Sequence, residues 1–194
     1  MSVLLVVGTE KGAWLVKSDE SRATWSIEGP AFKGWRVTAA ARDGNGRTFL
    51  GVTSFVYGTT VQVSDDLESW RQITKGPSYP ENGPRKLQQI WRFLPDRDGR
   101  VYAGVAEAGL FLSEDRGESW SPVAGLNDHP TREAWLPGAG GLCAHSILAA
   151  GDRLWCGISA AGVFRSDDGG RSWHAKNAGV PVIAEDKVHK DIGY

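Results

Sequence analysis

Apolar positions along the chain fall in short alternating or continuous runs that stop at glycine or at polar turn residues, and the runs recur in a fixed order. A first kind of run occupies residues 35–40, 89–94 and 142–148. A second, ending in or passing through glycine, occupies 4–8, 48–52, 101–105 and 154–158. A third opens on glycine and occupies 12–17, 58–63, 109–112 and 162–165. Gly- and Asp-rich clusters at 43–47, 96–100 and 150–153 separate the first kind from the second. Runs of this length, joined by such turns, predict hairpins of antiparallel strands. With one further strand after each third run, every unit holds four strands, A to D in chain order.

The turn between strands C and D carries a motif. Ser113, Asp115, Gly117, Ser119 and Trp120 fit the pattern S-x-D-x-G-x-S-W, as do Ser166, Asp168, Gly170, Ser172 and Trp173. Two weaker copies lie upstream. One, from Ser64 through Asp66 to Ser69 and Trp70, is a residue short and lacks the glycine. The other, from Ser18 to Thr24 and Trp25, places Glu20 where the Asp is expected and Arg22 where the Gly is. The opening serines are spaced by 46, 49 and 53 residues. A four-stranded unit at that period predicts a β-propeller blade. In such a turn an Asp carboxylate accepts hydrogen bonds from nearby backbone N–H groups, and Gly supplies a positive φ. These acids are therefore read as hairpin staples and not as catalytic or metal-binding groups, and the Trp as the start of strand D with its ring laid between blades.

On these residues the chain resembles the Asp-box, or BNR-repeat, β-propellers, a group that includes sialidases, sortilin-type receptor domains and photosystem assembly factors. The resemblance implies an all-β fold of four-stranded antiparallel blades over nearly the whole chain. Residues 1–194 read as a single partial-propeller domain with blades near 1–32, 33–77, 86–126 and 139–180, and residues 181–194 as a tail or the start of a next blade. The first unit lacks strand A. Propellers of the resembled kind usually have six to ten blades, so about four blades imply half of a larger ring. Three readings follow: truncation from a longer protein, a homodimer that completes one ring, or closure of four blades with the tail as the missing strand.

Charge narrows the partners. With 22 Lys plus Arg against 23 Asp plus Glu, the formal charge is -1. That balance lacks the basic excess of a nucleic-acid binder or a polybasic membrane-surface protein. No apolar run approaches the ~18 residues of a membrane-spanning helix. The short apolar N-terminus lacks the basic region and cleavage site of a signal peptide, so a cytoplasmic location is expected. Cys143 and Cys156 are read as buried thiols, since no CxxC pair or His cluster accompanies them. No metal and no cofactor are expected.

Functional candidates gather on the face opposite the C–D turns. The D–A connections at 77–88 and 127–141 are long, and long loops often carry function. With channel-facing Arg36, Arg92 and His145 they bring Tyr57, Tyr79, Arg85, Lys86, Arg132, Glu133 and Trp135 to one face, a mixture suited to an acidic or sugar-like ligand. Tyr79 and Trp135 are also read as caps of the channel mouth. His145 reads as a hydrogen-bonded core histidine and Arg92 as a salt-bridged strand arginine. Segment 91–95 is loosely similar to the Phe-Arg-Ile-Pro element of sialidases, although the resemblance would put that element in the first blade. Two functions follow. The first is a non-catalytic scaffold that binds a small molecule, carbohydrate or protein. The second is a sialidase-like glycoside hydrolase, for which Glu107 and Glu133 are the candidate acids with Arg92 and His145 beside them.

Overall fold

The computed structural model describes residues 3–138 and 140–180, and these build four antiparallel sheets in chain order. The first holds β1 (Val3–Thr9), β2 (Gly12–Ser18) and β3 (Trp25–Ala31). The second holds β4 (Arg36–Arg42), β5 (Thr48–Ser54), β6 (Gly58–Ser64) and β7 (Arg71–Gln72). In the third are β8 (Gln89–Pro95), β9 (Val101–Ala106), β10 (Gly109–Ser113) and β11 (Ser121–Pro122). The fourth comprises β12 (Ala144–Ala150), β13 (Arg153–Ile158), β14 (Gly162–Ser166) and β15 (His174–Ala175). Each sheet is a meander, the arrangement of a β-propeller blade, and the first has strands B, C and D only. The expectation that 181–194 opens a further blade lies outside the described residues.

Three strand-D segments begin one residue after Trp70, Trp120 and Trp173, so only Trp25 starts its strand. The long connection before β12 contains a short helix, α1 (Ala124–Asn127), and a 3-10 turn at Arg132–Ala134. Buried Asn127 replaces strand pairing there: its Oδ1 accepts the Leu110 N–H at 2.8 Å and its Nδ2 donates to the Leu110 carbonyl at 3.0 Å.

The C–D turns are closed as their residue types require. Ser113 Oγ, fully buried, accepts the Gly117 N–H at 2.7 Å and donates to Asp115 at 2.7 Å. Asp115 also accepts the Ser119 N–H at 2.9 Å, while Gly117 sits at φ 87°, where a Cβ is strained. Ser166, Asp168, Gly170 and Ser172 repeat these contacts. Trp120 and Trp173 each donate their indole N–H to the carbonyl of that glycine at 3.0 Å. The short copy works without glycine, because Leu67 takes the positive φ of 69°. In the first copy the acid that holds the turn is Asp19 and not Glu20: Asp19 accepts the N–H groups of Ser21 at 3.0 Å and Arg22 at 3.2 Å.

The core lies between the sheets. Residues paired across strands share a face, so Phe49 and Val63 of the second sheet meet Phe93 and Phe111 of the third. Tyr102 and Leu112 of the third meet Cys156 and Phe164 of the fourth. Four phenylalanines (49, 93, 111 and 164) are wholly buried in this way, each worth roughly 1.5–3 kcal/mol. Sheet contact runs in series: β1 packs on β4, β4 on β8 and β8 on β12.

Close approach depends on one glycine per strand B. A Cβ on Gly8 would overlap the Val37 carbonyl, and one on Gly104 the Ala144 carbonyl. A Cβ on Gly51 would lie 2.9 Å from Ile90 Cβ. In each case the group met belongs to strand A of the next sheet. Those inner strands are bulged, between Val37 and Ala39, Ile90 and Arg92, and Ala144 and Ser146. The extra residue Thr38 uses its hydroxyl to reach the Ile90 carbonyl of the next sheet at 2.6 Å.

Candidate functional site

The bulges decide what faces outward near the centre of the arc. In β8 the buried residues Ile90 and Phe93 are three apart instead of two, so Trp91 and Arg92 are both expelled from the core. Trp91 thereby reaches a cleft of about 520 Å³ lined by Arg36, Gln88, Gln89, Glu107, the 3-residue stretch 140–142 and Cys143. The cleft draws on the starts of β4 and β8, the B–C turn of the third sheet and the loop before β12. It lies on the B–C and D–A side.

Its polar groups are held in place. Glu107 accepts a hydrogen bond from Gln88 Nε2 at 2.7 Å. Arg36 is paired through Nε with Glu10 at 2.7 Å, at the tip of the β1–β2 hairpin. Cys143 is a buried free thiol whose proton affinity is raised by burial, and Cys156 is likewise free, its thiol pushed up to about 12 by burial.

Several other candidates are placed differently. Trp135 is 4 % exposed and does not cap a channel mouth: it packs 4.8 Å from Phe164 in the core between the third and fourth sheets. Arg132 lies over Trp135 and donates to the carbonyls of Glu107 and Ala108, so it braces the floor of the B–C turn. Burial lowers the proton affinity of its guanidinium. Arg85 donates to the Asn127 carbonyl at 2.6 Å and to Asp128 at 2.9 Å, with Tyr79 beneath it. The Tyr79 ring packs 5.3 Å from Phe111, and its buried hydroxyl has no hydrogen-bond partner among the described residues. Burial pushes that phenol up to about 12.

Arg92 is exposed and makes no ion pair among the described residues, contrary to the salt bridge expected of it. His145 is exposed as well, not a core histidine. Its Nδ1 meets Ser146 Oγ at 2.9 Å and its ring leans over Gly157, away from the cleft. Glu133 is exposed on its 3-10 turn, and Lys86 is exposed nearby; neither lines the cleft. Tyr57 belongs to an exposed apolar tip with Phe55 and Val56, its ring 5.9 Å from Trp35. Of the proposed ligand and catalytic residues, the structure brings Arg36 and Glu107 into the cleft. Gln88, Gln89 and Trp91 were missed. The signal for Trp91 was available in the three-residue spacing of Ile90 and Phe93.

A second cleft of about 640 Å³ opens on the opposite rim between the A–B turns. Its acids are already engaged. Asp96 accepts the Asp98 and Arg100 N–H groups at 2.9 and 2.8 Å, and Asp43 is bound by Arg116 at 2.8 Å.

No known family model matches the chain, and no curated protein matches it significantly. Solved structures do. A GH74 xyloglucanase from Xanthomonas campestris aligns at 22% identity and TM-score 0.59 over 92% of this chain and 29% of that one. A Trypanosoma rangeli sialidase in complex with 2,3-difluorosialic acid aligns at 13% identity and TM-score 0.54, over 89% of this chain and 35% of the sialidase. YCF48 from Cyanidioschyzon merolae aligns at 15% identity and TM-score 0.50, over 90% and 56%. The fold is thus a sialidase-like β-propeller, present here as four consecutive blades, the first of them three-stranded. The chain spans less than two thirds of each of these similar structures.

Proposed function

We propose that this chain is a binding segment of an Asp-box propeller, which takes a saccharide-like ligand in the cleft beside Trp91 and performs no chemistry on it. The two complete S-x-D-x-G-x-S-W turns and the short copy at Ser64 share a serine-to-aspartate hydrogen bond, which supports the Asp-box assignment. The exposed indole of Trp91 in a polar cleft carries the functional reading. Its flat apolar face suits one side of a sugar ring, and Gln88, Gln89 and Glu107 offer the amide and carboxylate groups that hydroxyls require. A retaining glycosidase would need a second carboxyl about 5 Å from the first. Glu107 is the one carboxylate in this lining, and it is already tied to Gln88.

Isothermal titration with neutral oligosaccharides and sialosides tests the reading. Saturable binding is expected, weakened about tenfold by Trp91→Ala, the equivalent of losing a ring contact of about 1.4 kcal/mol. Absence of binding across the panel would overturn it. Turnover of a fluorogenic glycoside, abolished by Glu107→Gln, would replace it with the hydrolase reading.

A further inference from the structure

Strand D is short in three of the four blades, so other groups must complete the outer edge of strand C. After β7, β11 and β15 one more amide reaches that edge. Ile73 donates to the Val61 carbonyl at 2.9 Å, Val123 to Leu110 at 2.9 Å and Lys176 to Val163 at 2.8 Å. The N–H and C=O of one residue in an antiparallel strand face the same neighbour, so the N–H groups of Val61, Leu110 and Val163 face outward too. Two of the three are met by a buried asparagine. Asn127 Oδ1 accepts the Leu110 N–H at 2.8 Å, and Asn177 Oδ1 accepts the Val163 N–H at 2.7 Å. Asn177 Nδ2 also donates to the Ala161 carbonyl at 3.4 Å, two residues back along the same edge. In the first blade β3 itself runs on to Ala31, opposite Ala13.

The second blade has neither device. Val61 is buried, yet its N–H has no acceptor among the described residues, and the Thr59 carbonyl two residues back has no donor there. An unmet backbone N–H at a buried residue is rare in a folded protein. Thr74 follows Ile73 as Asn177 follows Lys176, and Pro77 stands as far from Trp70 as Asn127 does from Trp120. Neither supplies a carboxamide. A cleft of about 410 Å³ opens at this edge, lined by Thr59, Val61, Thr74 and Pro77 with Leu87 and Trp120. Thr60 leaves the edge clear, because its hydroxyl turns to the Val52 carbonyl of strand B at 3.3 Å.

From this comparison we infer that the second blade binds the asparagine side chain of a partner peptide at the edge of β6. The carboxamide oxygen accepts the Val61 N–H and the amide nitrogen donates to the Thr59 carbonyl, the pose in which Asn177 completes β14. An aspartate carboxylate offers an acceptor and no donor, so it leaves Thr59 unmet, and an apolar side chain serves neither group. Leu87 and Trp120 carry the cleft past the span of one carboxamide and give the residues flanking the asparagine an apolar seat. This cleft shares no lining residue with the one beside Trp91, so the two readings stand or fail separately.

Amide NMR of the isotope-labelled full chain is the test, with an acetylated and amidated peptide Ala-Lys-Asn-Ala-Gly, the sequence of residues 175–179, as probe. Without peptide, the Val61 N–H should exchange with solvent at least about tenfold faster than those of Leu110 and Val163. Added peptide should shift the Val61 and Thr60 signals saturably and leave Leu110 and Val163 in place. The same peptide with Asp for Asn should bind at least about tenfold more weakly. Thr74→Asn, which places a carboxamide where the fourth blade has Asn177, should slow Val61 exchange and abolish the peptide shifts. Its own spectrum shows whether that variant is folded, and the wild-type measurements decide if it is not. Three results would overturn the inference: Val61 protected as well as Leu110 and Val163, fast exchange with no peptide shift (an edge met by solvent only), or equal binding of the Asp peptide. A folded Thr74→Asn that still binds the peptide would do the same.

Discussion

The strand-B glycines allow a comparison at a single structural position. In Gly104→Ala the added methyl overlaps the Ala144 carbonyl oxygen and comes within 3.2 Å of Ile147 Cδ1. Neither group can rotate away, since one is backbone in a bulged strand and the other is pinned in the core between the third and fourth sheets. Overpacking of that kind costs about 1–3 kcal/mol, and the rigidity of the backbone puts this case near 3. For a chain of this size 1 kcal/mol moves Tm by about 2–4 °C, so Gly104→Ala should melt about 6–12 °C lower. Among the described residues, the atoms nearest the Gly157→Ala methyl are Ser146 Cβ at 3.2 Å and His145 Cε1 and Ser146 Oγ at 3.7 Å, all on its own sheet. A shift of a few tenths of an ångström relieves that contact. The lost flexibility of the unfolded chain offsets it by about 0.4–1 kcal/mol. Its Tm should stay within about 4 °C of wild type in dilute solution. Thermal melts of the two variants followed by circular dichroism give the answer. Equal losses at the two positions would refute the claim that these glycines exist for the neighbouring blade.

Other perturbations separate polar contacts that hold the fold from those that do not. Ser113→Ala leaves the buried Gly117 N–H without its acceptor and should cost about 1–3 kcal/mol in chemical denaturation. Thr48→Val removes a fully buried hydroxyl that has no partner among the described residues, and it should raise stability by about 1 kcal/mol in the same assay. Acid should loosen the C–D turns. The amides of Ser69 and Glu68 hold the Asp66 carboxyl at about 2; at Asp115 burial pushes upward but is outweighed by the Ser119 hydroxyl and amide, again giving about 2. Folded values below the ordinary 3.8 mean stability that is fully present above about pH 4 and lost as pH falls toward 2. Asp115→Asn should flatten that loss in a pH series of denaturation midpoints.

Much of the architecture was legible before any coordinates, because its signals are local. Alternation of side chains, turn residues between runs and the recurrence of Ser113 and Ser166 with their Asp and Trp partners each involve residues near in sequence. A hairpin and its turn are settled by such neighbours. Even so, local reading misassigned the first turn, where Asp19 and not Glu20 takes the backbone hydrogen bonds.

The site depended on which residues are pushed out of each blade, and that is a matter of contact between blades. Trp135, Arg132 and Arg85 have the composition of a binding loop, yet the packing of the third blade on the fourth turns them inward to brace α1 and the B–C turn. Trp91 looks like a core residue within an apolar strand and is expelled by a bulge. The sequence by itself determined the units, their strands and the chemistry of their turns. Which face of each unit is covered, which glycine receives a neighbour and which tryptophan stays exposed were decided only when blades met. Those contacts join residues tens of positions apart, and no local pattern encodes their distance.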